Sequence, residues 1–161
     1  MIDTSRVKDR RPLRFETLAS LRGEIESLAM ADRAGKLQSL GNWTLGQTFG
    51  HLATWIDCSY DGFPIKAPWW LRLLVRPMKR QFLHGSMRAG IKIPRVDGGT
   101  IGIEPCSLDD GLLRYQRAID RLERDPPTQP SILFGPMSHD EWISLNLRHA
   151  ELHLGYFKPV P

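Results

Sequence analysis

Three histidines carry most of the chemistry that this 161-residue chain offers: His51, His149 and His153. His149 and His153 stand four positions apart in "RHAELHLGYF". On a helix that spacing brings two side chains to one point, which suits two ligands of one divalent cation. An ion held by imidazoles activates water, a thiolate or a carbonyl as a Lewis acid. The competing reading is a pair of core histidines, each hydrogen-bonded to a neighbour.

The direction of the pair separates these readings. At about 100° per residue, both histidines fall within about 20° of Trp142. Leu145, Leu152 and Tyr156 lie on the same side, and Glu151 lies opposite. The pair therefore faces the core. A buried polar group without a partner costs about 1–3 kcal/mol, and a shared ion satisfies one nitrogen of each ring. A third ligand has to come from a facing helix. His51, in "GQTFGHLATWID", is the candidate, flanking the apolar stripe beside Trp55.

Other residues have smaller claims. Asn146 lies on the histidine side of the last helix, where it would orient a ligand or cap backbone. Trp55 and Tyr156 are candidates for lining a pocket, with an ordinary core role as the alternative. Arg72, Arg76 and Arg80 align at i, i+4 and i+8 and would meet an anionic substrate. His84 and His139 read as surface or capping residues. The order His-Ala-Glu-Leu-His is not the zincin motif, because Glu151 points away from the pair. No Ser-His-Asp arrangement, phosphate-cradling loop or dinucleotide fingerprint is present, so no catalytic residue is assigned.

The elements that must position these groups read as helices. Leu18, Leu21, Ile25 and Leu28 give the first, over about residues 15–29. The second starts at the N-cap candidate Thr44 and ends at Asp61-Gly62. The third is "PWWLRLLVRPMKRQFLHG", which Pro77 should kink or interrupt. The fourth opens at Ser107 with Asp110 in the capping-box position. The fifth opens with a full capping box, Ser138 and Glu141, and runs to about Phe157. "IKIPRVDGGTIGI" alternates weakly and is broken by Pro94 and Gly98-Gly99, so no strand is expected. The pattern predicts an all-α bundle with an extra kinked helical segment. Residues 91–106 form a long loop between helices 3 and 4 of that bundle, of the kind that covers binding sites.

Length favours one domain over residues 1–161, with residues 1–13 as a basic arm. The net charge is +4. The basic runs "SRVKDRRPLRF" and "RLLVRPMKRQ" permit anionic partners, though a solvated surface is the plainer reading. Two cysteines, Cys58 and Cys106, make no disulfide framework. There is no signal-peptide h-region and no run of membrane-spanning length. The chain reads as soluble and cytoplasmic.

The motif "NWTLGQTFGHLATWID" with His51, together with the His149/His153 pair near the end of the last helix, resembles the DinB-like (DinB/YfiT) superfamily of small helical metalloenzymes. The resemblance runs from the first helix to the end, and residues 64–106 are the least typical part. It implies an up-down-down-up four-helix bundle and often a dimer. It implies nickel, zinc or a similar divalent ion on His51, His149 and His153. Better-understood relatives transfer or isomerise small-molecule substrates with a low-molecular-weight thiol.

Three functions stay open at this level. One is a metal-dependent enzyme, a thiol-dependent transferase or a hydrolase. Another is a non-catalytic metal-binding or interaction bundle. The third is a binder of anionic lipid or nucleic acid through the basic, Trp-bearing segment "PWWLRLLVRPMKR".

Overall fold

Side-chain caps start the long helices, at Thr44, Ser107 and Ser138 where the sequence signals them and at Thr17 where none was expected. Thr17, Thr44, Ser107 and Ser138 each accept a hydrogen bond from the backbone N–H three residues on. In a computed structural model describing residues 2–90, 93 and 96–161, and not the side chain of Asp97, the chain is mainly helical. The helices are α1 (Leu18–Arg33), α2 (Leu45–Asp61), α3 (Trp69–Val75), α4 (Lys79–His84), α5 (Leu108–Arg124) and α6 (His139–Leu154). Two short strands, β1 (Leu37–Ser39) and β2 (Phe157–Pro159), pair antiparallel. No helix among the described residues is long and apolar enough to cross a membrane.

The expected apolar stripes are the core. Leu18, Leu21, Ile25 and Leu28 of α1 are all buried, as are Leu45, Phe49, Leu52 and Ile56 of α2. Tyr115, Ile119 and Leu122 of α5 join them, with Trp142 and Leu154 of α6. The closest approach is between α2 and α5. A Cβ on Gly111 would strike the Gly46 carbonyl, so the two backbones meet with no side chain between them.

Pro77 interrupts the third segment, dividing it into α3 and α4 joined by a 3-10 turn over Arg76–Met78, in line with the sequence reading. The structure departs from that reading at the first helix, which runs over Leu18–Arg33 and not about residues 15–29, and at the last. The last helix stops at Leu154, short of Phe157, because residues 157–159 leave it to pair with β1. Three-residue strands are too short to show alternation, which is why none was expected. In the 91–106 loop, residues 91, 92, 94 and 95 lie outside the described residues. The rest includes a 3-10 turn at Asp97–Gly99 and backbone that runs beside α2.

The basic arm is docked at Arg10 and Arg11, while Arg6 and Lys8 stay exposed. The Arg11 N–H donates to the Gly155 carbonyl at 2.8 Å, and the Arg11 guanidinium donates to Glu24 and to the Phe157 carbonyl. Further along, the Phe15 N–H donates to Glu151 at 2.6 Å, and Arg148 donates to the Phe15 carbonyl. This arm covers the side of α6 that faces away from the histidines. Glu151 is therefore opposite the pair, as expected, yet buried, with Arg148 as its ion-pair partner at 2.8 Å.

Candidate metal centre

The centre is built from two helices and two loops. His51 comes from the second turn of α2, and His149 and His153 come from successive turns of α6. Their orientation is set by ordinary helix chemistry. The Thr44/Gln47 capping box fixes where α2 begins, and hence the direction of His51. The Gln47 amide also reaches the Ile103 carbonyl at 3.5 Å, tying the helix start to the loop above it. The Ser138/Glu141 box does the same service for α6.

The three rings converge. His51 Nε2 lies 3.2 Å from His149 Nε2, and His153 Nε2 lies 3.1 Å from that same atom. One ligand atom from each histidine falls within 4.8 Å of those of the other two. A tetrahedral ion bound at about 2.0–2.1 Å would separate its nitrogen ligands by about 3.3 Å. The two separations that involve His149 Nε2 are close to that. This arrangement could hold a metal ion.

Protonation also favours a cation. His51 Nδ1 stands 2.7 Å from the Ile101 carbonyl. A carbonyl only accepts, so Nδ1 carries the proton and the neutral ring presents a bare lone pair at Nε2. That lone pair points at His149 Nε2, which is also approached by His153 Nε2. One proton on His149 serves one neighbour well and leaves the other lone pair facing it. A divalent ion satisfies all three. The hydrogen bond from a metal-ligating imidazole to a backbone carbonyl is the usual way to fix its tautomer.

Burial acts in the same direction. His51 is 1% exposed, and loss of solvation pushes its imidazole down to about 4, against the lift from the Ile101 carbonyl. His149 and His153 keep an edge open to solvent, yet the atoms around them desolvate both. Both are held well below the ordinary histidine value, first by that desolvation and then by the neighbouring imidazoles. Arg10 lowers His153 further through its charge. Neutral rings are the state a metal requires.

Two tryptophans wall the site. Trp43 stacks on His153 at 5.4 Å with 12° between planes, and sits 5.0 Å from His51. Trp55 meets His149 edge-on at 5.5 Å and His51 at 6.2 Å. Its Nε1 is buried with no partner among the described residues. A cavity of about 600 Å³, open to solvent, adjoins the Ile101 side. Thr54, Pro64, Val96, Thr100, Ile101 and Ile103 line it.

The expected site residues therefore fall into two groups. His51, His149 and His153 come together, with Trp55 beside them. Asn146 is buried one turn before His149 on α6 and donates to the Trp142 carbonyl at 2.9 Å, the backbone-capping alternative. Tyr156 stacks on none of the imidazoles. Its hydroxyl donates to the Thr4 carbonyl at 2.8 Å, and its ring lies under the Arg10 guanidinium. Arg72 and Arg76 lie beside Gly135, and both are exposed, as is Arg80. His139 bonds to the Leu122 carbonyl, and His84 ends α4 at the surface.

Trp43, Arg10 and the Ile101 carbonyl were not legible as site components. Trp43 stands in the quoted motif just before the N-cap, where an aromatic residue usually reads as a helix staple. Arg10 donates to the Leu152 carbonyl at 2.8 Å from a segment that read as solvated. A backbone carbonyl leaves no mark in a sequence.

One family model, described as "Protein of unknown function (DUF1569)", matches residues 7–160. No curated protein and no solved structure matches the chain.

Proposed function

The chain belongs to the DUF1569 family of proteins of unknown function, and we propose that it is a divalent-metal-dependent enzyme centred on His51, His149 and His153. The observation that carries this reading is the convergence of three imidazole nitrogens, with His51 locked by Ile101 in the tautomer that bares Nε2. An all-imidazole set suits zinc or nickel.

Bound there, the ion would supply Lewis acidity to a small-molecule substrate. The chain's own residues do the rest. Three neutral imidazoles leave the ion its full charge, because no carboxylate among the described residues bonds to them. The charge of Arg10, close to His153, adds to an environment that favours an anionic ligand. Trp43 and Trp55 exclude water from two sides. The open edges of His149 and His153 and the adjoining cavity support access for substrate, which a purely structural ion does not need.

Hydrolysis and thiol transfer both use an anion at such a centre. A low-molecular-weight thiol as co-substrate belongs to the same proposal. So does kinship with the DinB-like superfamily, with α1, α2, α5 and α6 as an up-down-down-up four-helix bundle and a dimer as the assembly. The W-T-x-G-Q…H pattern and the paired histidines support it, since each motif position has a task. Trp43 stacks on the site, Thr44 and Gln47 cap α2, Gly46 admits α5, and His51 ligates.

Elemental analysis of gently purified protein tests the centre. The expected result is about one divalent ion per chain, lost in His153→Ala and in His51→Ala. Equal metal content in the three proteins overturns the proposal. Turnover of activated esters, or of electrophiles with small thiols, then separates an enzyme from a metal-binding bundle without catalysis. Turnover by neither, in metal-loaded protein, removes the enzymatic part and leaves the centre standing.

A further inference from the structure

The positive charge of this chain is concentrated in one segment. Residues 62–96 hold 8 of its 22 Lys and Arg and none of its 18 Asp and Glu. The remainder has 14 basic against 18 acidic residues and is net negative.

That segment also turns apolar side chains outward. Trp69 is 76% exposed, Leu73 and Leu74 are each 66%, and Trp70 and Met78 are each 49%. No residue of α3 is buried. Positions 69, 70, 73 and 74 make one face at helical spacing, and Arg72 and Arg76 stand along its border. Among the described residues Arg72, Arg76 and Arg80 make no ion pair. Lys79 bonds Glu141 at 2.7 Å and, with the buried Leu83, holds α4 on the body of the protein. The exposed face is thus mounted on a fixed base.

We propose that α3 and the Arg76–Met78 turn form a docking surface for an anionic lipid bilayer. The apolar face would enter the boundary between headgroups and acyl chains, with the two tryptophans at the interface. The three arginines would meet lipid phosphates. Charge chooses this occupant over a second copy of the chain, because two such faces would bring like charges together. Side-chain chemistry chooses it over nucleic acid. Leu73, Leu74 and Met78 have no ring for a base to stack on. The contact is peripheral, since Pro77 ends the apolar run after a few turns.

The test uses the full chain and phosphatidylcholine vesicles with and without about a third of phosphatidylserine. Binding to the anionic vesicles only, weakening with salt, is expected. Brominated acyl chains should quench tryptophan fluorescence in the bound protein. Arg72→Gln/Arg76→Gln/Arg80→Gln should weaken binding about a hundredfold, at roughly fivefold per arginine. Leu73→Ser/Leu74→Ser should remove the quenching. Both variants alter exposed side chains, so unchanged helical circular dichroism and metal content are expected and keep this test separate from the metal centre. No binding at low salt, or equal binding to neutral vesicles, overturns the proposal. So does retention of a single-stranded oligonucleotide without vesicle binding, or a dimer that Leu73→Ser/Leu74→Ser dissolves.

Discussion

The Ile101 carbonyl lies 2.7 Å from His51 Nδ1, and this contact determines which nitrogen of His51 is bare. The loop thus acts on the site through one backbone oxygen. Its position depends on the next residue, Gly102, which sits at φ +71° against Thr54.

Gly102→Ala tests that dependence. The added Cβ would come within 2.7 Å of Thr54 at a backbone angle that alanine resists. The Ile101 carbonyl must shift. Metal affinity should fall about 10–100-fold, the usual effect of losing a partner behind a ligand. Competition with a chelating dye measures it, with helical circular dichroism as the control. Wild-type affinity in a folded Gly102→Ala protein would show that the carbonyl has no part in ligation.

Acid should destabilise the metal-free protein. In the fold His51 takes its proton only near 4, whereas in the unfolded chain it does so near 6.5. Between these values the unfolded state binds more protons, so stability rises with pH there and is lost as pH falls from about 6.5 toward 4. His51 alone accounts for up to about 3 kcal/mol, and His149 and His153 shift the same way. Urea unfolding in the presence of chelator, at several pH values, reads the slope. His51→Asn keeps a donor for Ile101 but does not titrate, and should flatten it. An identical slope in the variant would assign the acid loss to other groups.

The Arg148–Glu151 pair should matter for stability out of proportion to its place beyond the site. The two are 3% and 8% exposed, and Glu151 also accepts the Phe15 N–H. Glu151→Ala leaves the Arg148 charge buried with its ion-pair partner gone, at a cost of about 3–5 kcal/mol. The arm should loosen with it. Hydrogen exchange at the Phe15 amide is expected to accelerate while metal content in the folded fraction holds. An unmoved unfolding midpoint would mean that the pair is better solvated than its burial implies.

Local periodicity and caps were enough to find the helices and to set His149 and His153 on one face of the last one. They placed His51 only beside the apolar stripe of its helix, as the candidate for a third ligand. Those are short-range properties: a 3.6-residue repeat, and hydrogen bonds three residues long. What only tertiary structure decided is the surroundings of those rings. Ile101 reaches His51 across 50 positions, and Trp43 meets His153 from a loop. Phe15 returns across 136 positions to cover Glu151 on the side of α6 opposite the histidines. Contacts made by backbone oxygens and by segments without regular repeat leave no period in the sequence. They exist only once the chain has closed on itself, and they select the tautomer of His51 and wall in three histidines that could hold a metal ion.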